Sequence, residues 1–155
     1  MRIVKLVLAS TFLAFALFFF FKIRVCFIDG SSMFPSLKHG DCCLVYLTKN
    51  VHRRDVVCFF HEGELFCKRV VGLPGETVWI TPRGISILNK TWHHFQEPYN
   101  ALEFEPGCAK IIKLGKNQFW VIGDNKPISY DSRDFGPIKE KDIWGKVIWV
   151  IGNAP

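Results

Sequence analysis

The chain has 155 residues, and with 49% hydrophobic and 15% aromatic content it can fill one modest core, which excludes long disorder. Its formal net charge of +6 gathers at one end: Arg2, Lys5, Lys22 and Arg24 flank an apolar run, no acid precedes Asp29, and the remaining 16 basic and 14 acidic residues nearly cancel. This is the flanking pattern of a membrane segment, and it excludes a nucleic-acid-binding patch as the source of the charge.

Leu6 to Phe21 carries no charge, and Ile3 and Val4 extend the run past Lys5. About 19 helical residues at about 1.5 Å each cover most of a roughly 30 Å hydrocarbon core. Lys5 and Lys22 are placed to snorkel to the two interfaces. A cleaved secretory signal is the competing reading. It is disfavoured because Ala14-Phe15-Ala16 lies inside the apolar run and Lys22-Ile23-Arg24-Val25 offers no small-residue site. Residues 1–24 are therefore expected to be an uncleaved transmembrane anchor. Two basic residues on each side leave its orientation undecided by charge.

From Ile23 onward the pattern is strand-like. Ile23 to Ile28, Cys42 to Leu47, Val56 to Phe60, Leu65 to Val71 and Thr77 to Ile80 are apolar or alternating runs. Ile85 to Leu88, Ile111 to Leu114, Phe119 to Ile122 and Trp144 to Ile151 complete the set. Gly40, Gly63, Gly72-Leu73-Pro74-Gly75 and Pro82-Arg83-Gly84 punctuate them. Apart from the anchor no segment has a sustained helical period, with one helical turn expected near Lys139 to Ile143. The fold class is all-β: residues 25–155 form a compact antiparallel β-sheet domain, with 81–115 as a small inserted or variable segment.

The six cysteines are Cys26, Cys42, Cys43, Cys58, Cys67 and Cys108. No Cys-x-x-Cys occurs, so a zinc or thioredoxin-like reading has no support. Several sit in strand-like runs, where free cysteine acts as a small hydrophobe, and that reading is favoured over a disulfide framework. An oxidising compartment keeps disulfides open. Asn89-Lys90-Thr91 fits a glycosylation acceptor, and His93-His94 is read as a surface pair rather than metal ligands.

A serine needs a base to become a nucleophile, and none of the five histidines stands in a triad-like setting. A lysine is the alternative. Lys68 lies between Leu65-Phe66-Cys67 and Val70-Val71, and in a strand it shares a face with Phe66 and Val70, while Arg69 alternates to the other face and can reach solvent. A lysine on an apolar face must lose its charge or find a partner, although the local pattern alone also suits a lysine reaching out at a strand edge.

Three stretches in order change that balance. Ser32-Met33-Phe34-Pro35-Ser36-Leu37 resembles the nucleophile box of the type I signal peptidases, usually Ser-Met-x-Pro-Thr-Leu. Phe66-Cys67-Lys68-Arg69-Val70-Val71-Gly72-Leu73-Pro74-Gly75-Glu76 resembles the segment carrying that family's general-base lysine. Gly123-Asp124-Asn125-Lys126-Pro127-Ile128-Ser129-Tyr130-Asp131-Ser132-Arg133 resembles its Gly-Asp-Asn…Ser-x-Asp-Ser-Arg box. The family includes bacterial signal peptidase I and the mitochondrial inner-membrane peptidase.

The resemblance implies Ser32 as nucleophile, rather than the adjacent Ser31, and Lys68 as its base. It implies an oxyanion site from the N–H of Ser32, with Gly30 where some members carry a second donor serine. It implies Ser129 hydrogen-bonding the lysine, Asp131 and Arg133 as a bracing pair, Asp124 in support, and Met33, Phe34 and Pro35 as walls of the substrate site. Two departures stand out: Lys126-Pro127 replaces the common Arg-Asp or Arg-Asn, and Arg53-Arg54-Asp55 replaces a Gly-Asp strand start. The implied activity is a serine endopeptidase that removes signal peptides from exported preproteins after small residues, broadly Ala-x-Ala, with no cofactor or metal. The implied partners are those preproteins and the lipid bilayer, with no nucleic acid and an open oligomeric state. The implied location is the bacterial cytoplasmic membrane with the catalytic domain outside, the alternative being the mitochondrial inner membrane facing the intermembrane space. The competing functions are a catalytically silent membrane-anchored β-domain that binds exported chains, and a self-cleaving repressor-type Ser-Lys protein, for which the N-terminal run is too apolar.

Overall fold

The computed structural model describes residues 2–81, 84–88, 95–97 and 110–152. Pro82-Arg83, Asn89-Lys90-Thr91, His93-His94 and Cys108, named above, lie outside the described residues.

Helix α1 (Arg2–Lys22) has 21 residues and no acid in its first turn, a length of about 31 Å at about 1.5 Å per residue. Apolar side chains along it are exposed, as for Ile3, Leu8, Phe12 and Phe20, so none of the described residues covers them. The hydroxyls of Ser10 and Thr11 donate to the carbonyls of Val7 and Leu8 at 2.9 Å each. That removes the helix's only neutral polar side chains from competition for water. At the far end the Arg24 guanidinium donates to the Phe20 carbonyl at 2.6 Å, satisfying one of the carbonyls a helix end leaves unpaired.

Among the described residues the chain then forms eleven strands: β1 (Ile23–Phe27), β2 (Cys42–Tyr46), β3 (Val56–His61), β4 (Glu64–Gly72), β5 (Thr77–Thr81), β6 (Gly84–Leu88), β7 (Phe95–Glu97), β8 (Lys110–Lys113), β9 (Gln118–Ile122), β10 (Ile138–Lys139) and β11 (Ile143–Ile151). They make a seven-stranded sheet in the order β1-β2-β11-β3-β4-β9-β10 and a four-stranded sheet in the order β7-β6-β5-β8. All pairings are antiparallel. The all-β expectation with an N-terminal apolar helix holds.

Strand β9 explains why its run Phe119 to Ile122 is apolar without alternation. Phe119 and Val121 pack with Val57, Phe59 and Val70 on one face. Trp120 and Ile122 pack with Val71, Val78 and Ile87 on the other, against the second sheet. A strand covered on both faces needs no polar positions. A third cluster joins Ile28, Met33, Leu37 and Cys43 beneath the loop that follows β1.

Three elements have no counterpart in the sequence reading: β7, β10 and the single turn α2 (Ser132–Phe135). Each is too short to show a period. Helix α2 is instead fixed by its cap. The Asp131 side chain accepts from the Arg133 N–H, and the Asp134 carboxylate accepts from the Asp131 N–H at 2.9 Å, a capping box.

The preference for free cysteines requires one correction. Cys58 and Cys67 form a disulfide, while Cys26, Cys42 and Cys43 are thiols. The cause is register. Glu62 and Gly63, both at positive φ (51° and 87°), make a two-residue turn between β3 and β4, as in type I′ hairpins. Counting back from it sets Cys58 opposite Cys67 with a Cα–Cα distance of 4.3 Å, the separation of a close cross-strand pair. Glutamate is not a residue that announces such a turn, so the pairing was not legible. Fully buried Cys43 does behave as a small hydrophobe.

Strand β4 pairs with β9 at Gly72, opposite Trp120, where an added Cβ would lie 2.7 Å from Trp120 Cβ and 2.9 Å from Leu114 Cδ1. Gly72→Ala is expected to cost about 1–3 kcal/mol through overpacking, read as a lower urea midpoint for the full chain in detergent. An unchanged midpoint would show that the two sheets separate there without cost.

Candidate active site

A groove of about 520 Å³ runs between two stretches of chain. One wall is Cys26 to Met33, the end of β1 and the loop after it. The other is Glu64 to Lys68, the first half of β4. Among the described residues, strand β1 pairs only with β2, and the first half of β4 only with β3, since β9 joins β4 from Arg69 onward. Two free strand edges therefore face each other across the groove.

Ser32 and Lys68 meet in it. Lys68 Nζ lies 2.6 Å from Ser32 Oγ. The lysine is 3% exposed, and its amine sits 5.5 Å from the Phe66 ring centroid, on the face that strand alternation assigns to both. Burial pushes its pKa below the ordinary lysine value, opposed in part by the Asp131 carboxylate, which favours the ammonium. Once it has lost its proton, the amine has a lone pair to offer the serine hydroxyl.

The serine is held from three sides. Gly30 adopts φ 84°, which glycine tolerates without strain, and its N–H donates to His39 Nδ1 at 3.2 Å. Met33 and Leu37, each 2% exposed, anchor the loop from below, joined by the Leu37 N–H to the Met33 carbonyl at 2.9 Å. From the side, the N–H of Asn125 donates to the Ser32 carbonyl at 2.9 Å and its side-chain amide to the Ser31 carbonyl at 3.1 Å. The N–H of Ser32 makes no hydrogen bond among the described residues.

The segment 123–133 is itself organised by Asp131, which is fully buried. Its carboxylate takes both arms of the Arg133 guanidinium, at 2.8 and 2.9 Å, and the Gly123 N–H at 2.9 Å. Arg133 reaches on to the carbonyls of Lys126 and Ser129 at 2.7 and 3.1 Å. Lys126-Pro127 thus sits in a loop tied down by Arg133.

Asp124 faces the other way and is clamped by Arg69 through two bonds of 2.7 and 2.6 Å. Burial alone would raise its pKa. Hydrogen bonds from Arg69 and Ser36 and the charges of Arg69 and Lys126 outweigh that, and the carboxyl ends below its ordinary value.

The family described as signal peptidase, peptidase S26, matches residues 1–151. The chain belongs to the signal peptidase family. It is accordingly a serine peptidase that removes signal peptides. Signal peptidase I V of Bacillus subtilis is 33% identical over 138 residues, covering 77% of this chain and 80% of the relative. Signal peptidase IB of Staphylococcus aureus is 33% identical over 139 residues, covering 77% and 73%. The crystal structure of a signal peptidase I from Enterococcus faecalis V583 matches with a TM-score of 0.50 and 25% identity, covering 64% of this chain and 97% of that one.

Against the sequence reading of this signal peptidase, Ser32, Lys68, Gly30, Met33, Ser129, Asp131 and Arg133 converge, and several details differ. Of the three wall residues only Met33 lines the groove. Phe34 and Pro35 are exposed outside it, because the turn after Ser32 carries them to the surface. Ser129 Oγ is buried without a hydrogen-bond partner instead of bonding Lys68. Arg69, on the other face and partly exposed, also holds Asp124. Arg53 and Glu76 form an ion pair under the Gly72-Leu73-Pro74-Gly75 turn, where the Glu76 carboxylate also accepts from the Leu73 N–H at 2.7 Å. Both pairs join residues far apart in sequence, and only a charge on each partner hinted at them.

Gly123 is the residue most easily underrated. A Cβ there would lie 2.0 Å from Ser129 Oγ and 2.6 Å from the Ser32 carbonyl oxygen. Gly123→Ala is expected to push the nucleophile loop off its lysine and reduce signal-peptide cleavage by about 10²-fold, with far-ultraviolet circular dichroism unchanged. Full activity would show that the loop can yield without losing the Ser32–Lys68 contact.

Proposed function

We propose that Ser32 and Lys68 are the catalytic dyad of this peptidase. The observation that carries the reading is the 2.6 Å approach of Ser32 Oγ to the amine of Lys68, a residue 3% exposed. An ordinary lysine stays protonated at neutral pH and cannot act as a base. Burial lowers the Lys68 pKa and so favours the neutral form. Lys68 takes the Ser32 proton as Oγ attacks the scissile carbonyl, returns it to the leaving amine, and then activates the water that releases the acyl group.

The N–H of Ser32 is the oxyanion donor of this reading. Gly30 has no side chain to add a second, and its N–H is engaged by His39. Ser129 acts as a positioning residue if its unpartnered hydroxyl turns to Lys68 on substrate binding. Asp131, Arg133 and Asp124 hold the surrounding loop. The facing edges of β1 and β4 suit an extended peptide that adds main-chain hydrogen bonds to either side. The preference for small residues of the Ala-x-Ala type rests on the family resemblance.

Residues 1–24 form the membrane anchor and 25–155 the peptidase domain in this reading. Helix α1 ends ten residues before Ser32, a span of at most about 36 Å. The site therefore stays near the membrane, on its outer side, where a preprotein's signal peptide emerges. Exposed Phe27, Phe34 and Trp149 supply apolar surface for the lipid interface. The bacterial homologues favour the bacterial cytoplasmic membrane over the mitochondrial inner membrane.

The deciding experiment is cleavage of an Ala-x-Ala preprotein by detergent-solubilised wild type, Ser32→Ala and Lys68→Arg. Wild type is expected to cleave, Ser32→Ala to be inactive, and Lys68→Arg to lose about 10²–10⁴-fold, since a guanidinium cannot accept the proton. Cleavage by Ser32→Ala at the wild-type rate would remove Ser32 from the chemistry. Silence of all three across varied signal peptides would favour the binding-domain reading. The acid limb of kcat/KM should lie below the ordinary lysine pKa, because activity appears as Lys68 loses its proton. Asp131→Asn removes the charge that raises that pKa, so the limb should move to lower pH; a shift upward would contradict the assignment.

A further inference from the structure

Cys26, Cys58 and Cys67 bring three sulfur atoms within 4.8 Å of one another. Sheet order alone would not place them so. Strands β1 and β4 stand four positions apart, about 19 Å across a flat sheet, so the sheet curls until its first strand meets its fifth. Cys58 and Cys67 share a disulfide, and Cys26 is a thiol. Cys26 and Cys67 both line the groove, one on each wall, whereas Cys58 lies fully buried behind it. On each wall the cysteine belongs to the same stretch of chain as a member of the dyad: Cys26 leads to Ser32, and Cys67 immediately precedes Lys68.

We propose that Cys26 exchanges with the Cys58–Cys67 disulfide to form a Cys26–Cys67 bridge, a staple between β1 and β4 that shuts the groove to an extended substrate. The blocking role rests on the groove being the substrate site. In the exchange Cys26 gives its proton to solvent and its thiolate attacks Cys67 Sγ. The Cys26–Cys67 bond forms as the Cys58–Cys67 bond breaks, and Cys58 leaves as a thiolate that takes up a proton. One disulfide replaces another, so no oxidant is consumed. Drawing the two sulfurs to a bond of about 2.0 Å narrows the groove and pulls on both chain segments that align the dyad. Burial, with a smaller contribution from Cys42, raises the Cys26 pKa, which keeps the thiol protonated at neutral pH and makes the exchange slow. The staple is therefore a resting form and not a step of turnover.

The test begins with full-length Cys58→Ser in detergent, which leaves Cys26 and Cys67 as the cross-groove pair. After diamide treatment, peptide mapping under non-reducing conditions should find Cys26 joined to Cys67. Cleavage of a signal-peptide substrate should fall at least about tenfold relative to the same protein before treatment, and dithiothreitol should restore it. The Cys26→Ser/Cys58→Ser double variant should keep the rate it had before diamide. Absence of the bridge, or a bridge with undiminished cleavage, overturns the proposal. If Cys58→Ser does not fold, wild type held at pH 8.5 with a trace of free thiol decides the exchange: a Cys26–Cys67 peptide supports it, and Cys58–Cys67 alone overturns it. Wild type that cleaves nothing before treatment would instead count against the dyad, with the mapping result unaffected.

Discussion

A lysine amine withdrawn from water is the constraint on which the rest of the structure depends. Lys68 is 3% exposed in a nine-residue strand of mostly apolar side chains, where an ammonium without compensation is costly. The protein supplies limited compensation: the Phe66 ring face, the Asp131 charge already shared with Arg133, and the Ser32 hydroxyl. Desolvation outweighs the carboxylate, and the balance falls toward the neutral amine. Had Asp131 been unpaired, its full charge would have favoured the ammonium and worked against base chemistry.

The segment 123–133 acts as a bracket between strand and nucleophile. Asp131 ties Gly123 and Arg133 together and caps α2. Asn125 holds the carbonyls of Ser31 and Ser32, and Asp124 holds Arg69, the neighbour of Lys68. One short loop therefore contacts both sides of the dyad. Close approach is possible because position 123 has no side chain, leaving room for the buried Ser129 hydroxyl and the Ser32 carbonyl. Relative motion of Ser32 and Lys68 would have to break several of these bonds at once, which is how a 2.6 Å contact is kept between a loop and a strand joined only through tertiary structure.

The β3–β4 hairpin sets the other coordinates. Its two-residue turn at Glu62-Gly63 places Lys68 opposite Val57 and Cys67 opposite Cys58 in one register. A slip of one residue would turn Lys68 to the opposite face, away from Ser32. The cross-strand disulfide resists that slip. The same curl of the sheet that brings the nucleophile loop over β4 also brings Cys26 beside the disulfide, so redox chemistry and catalysis share one geometry.

The sequence by itself determined the apolar helix, nine of the strands and the three boxes that converge on Ser32, Lys68 and Asp131. These are carried by local patterns: an uncharged run, alternation, turn residues, and fixed spacing within each box. The tertiary structure alone decided that Arg69 binds Asp124, that Cys58 pairs with Cys67, that Phe34 and Pro35 lie outside the groove, and that Ser129 stands without a partner. Each depends on which strands meet and in what register, and the closing of β1 on β4 is set by sheet curl summed over several strands. Residue type can say that a buried charge needs a partner, but the identity of that partner is a property of distance in space.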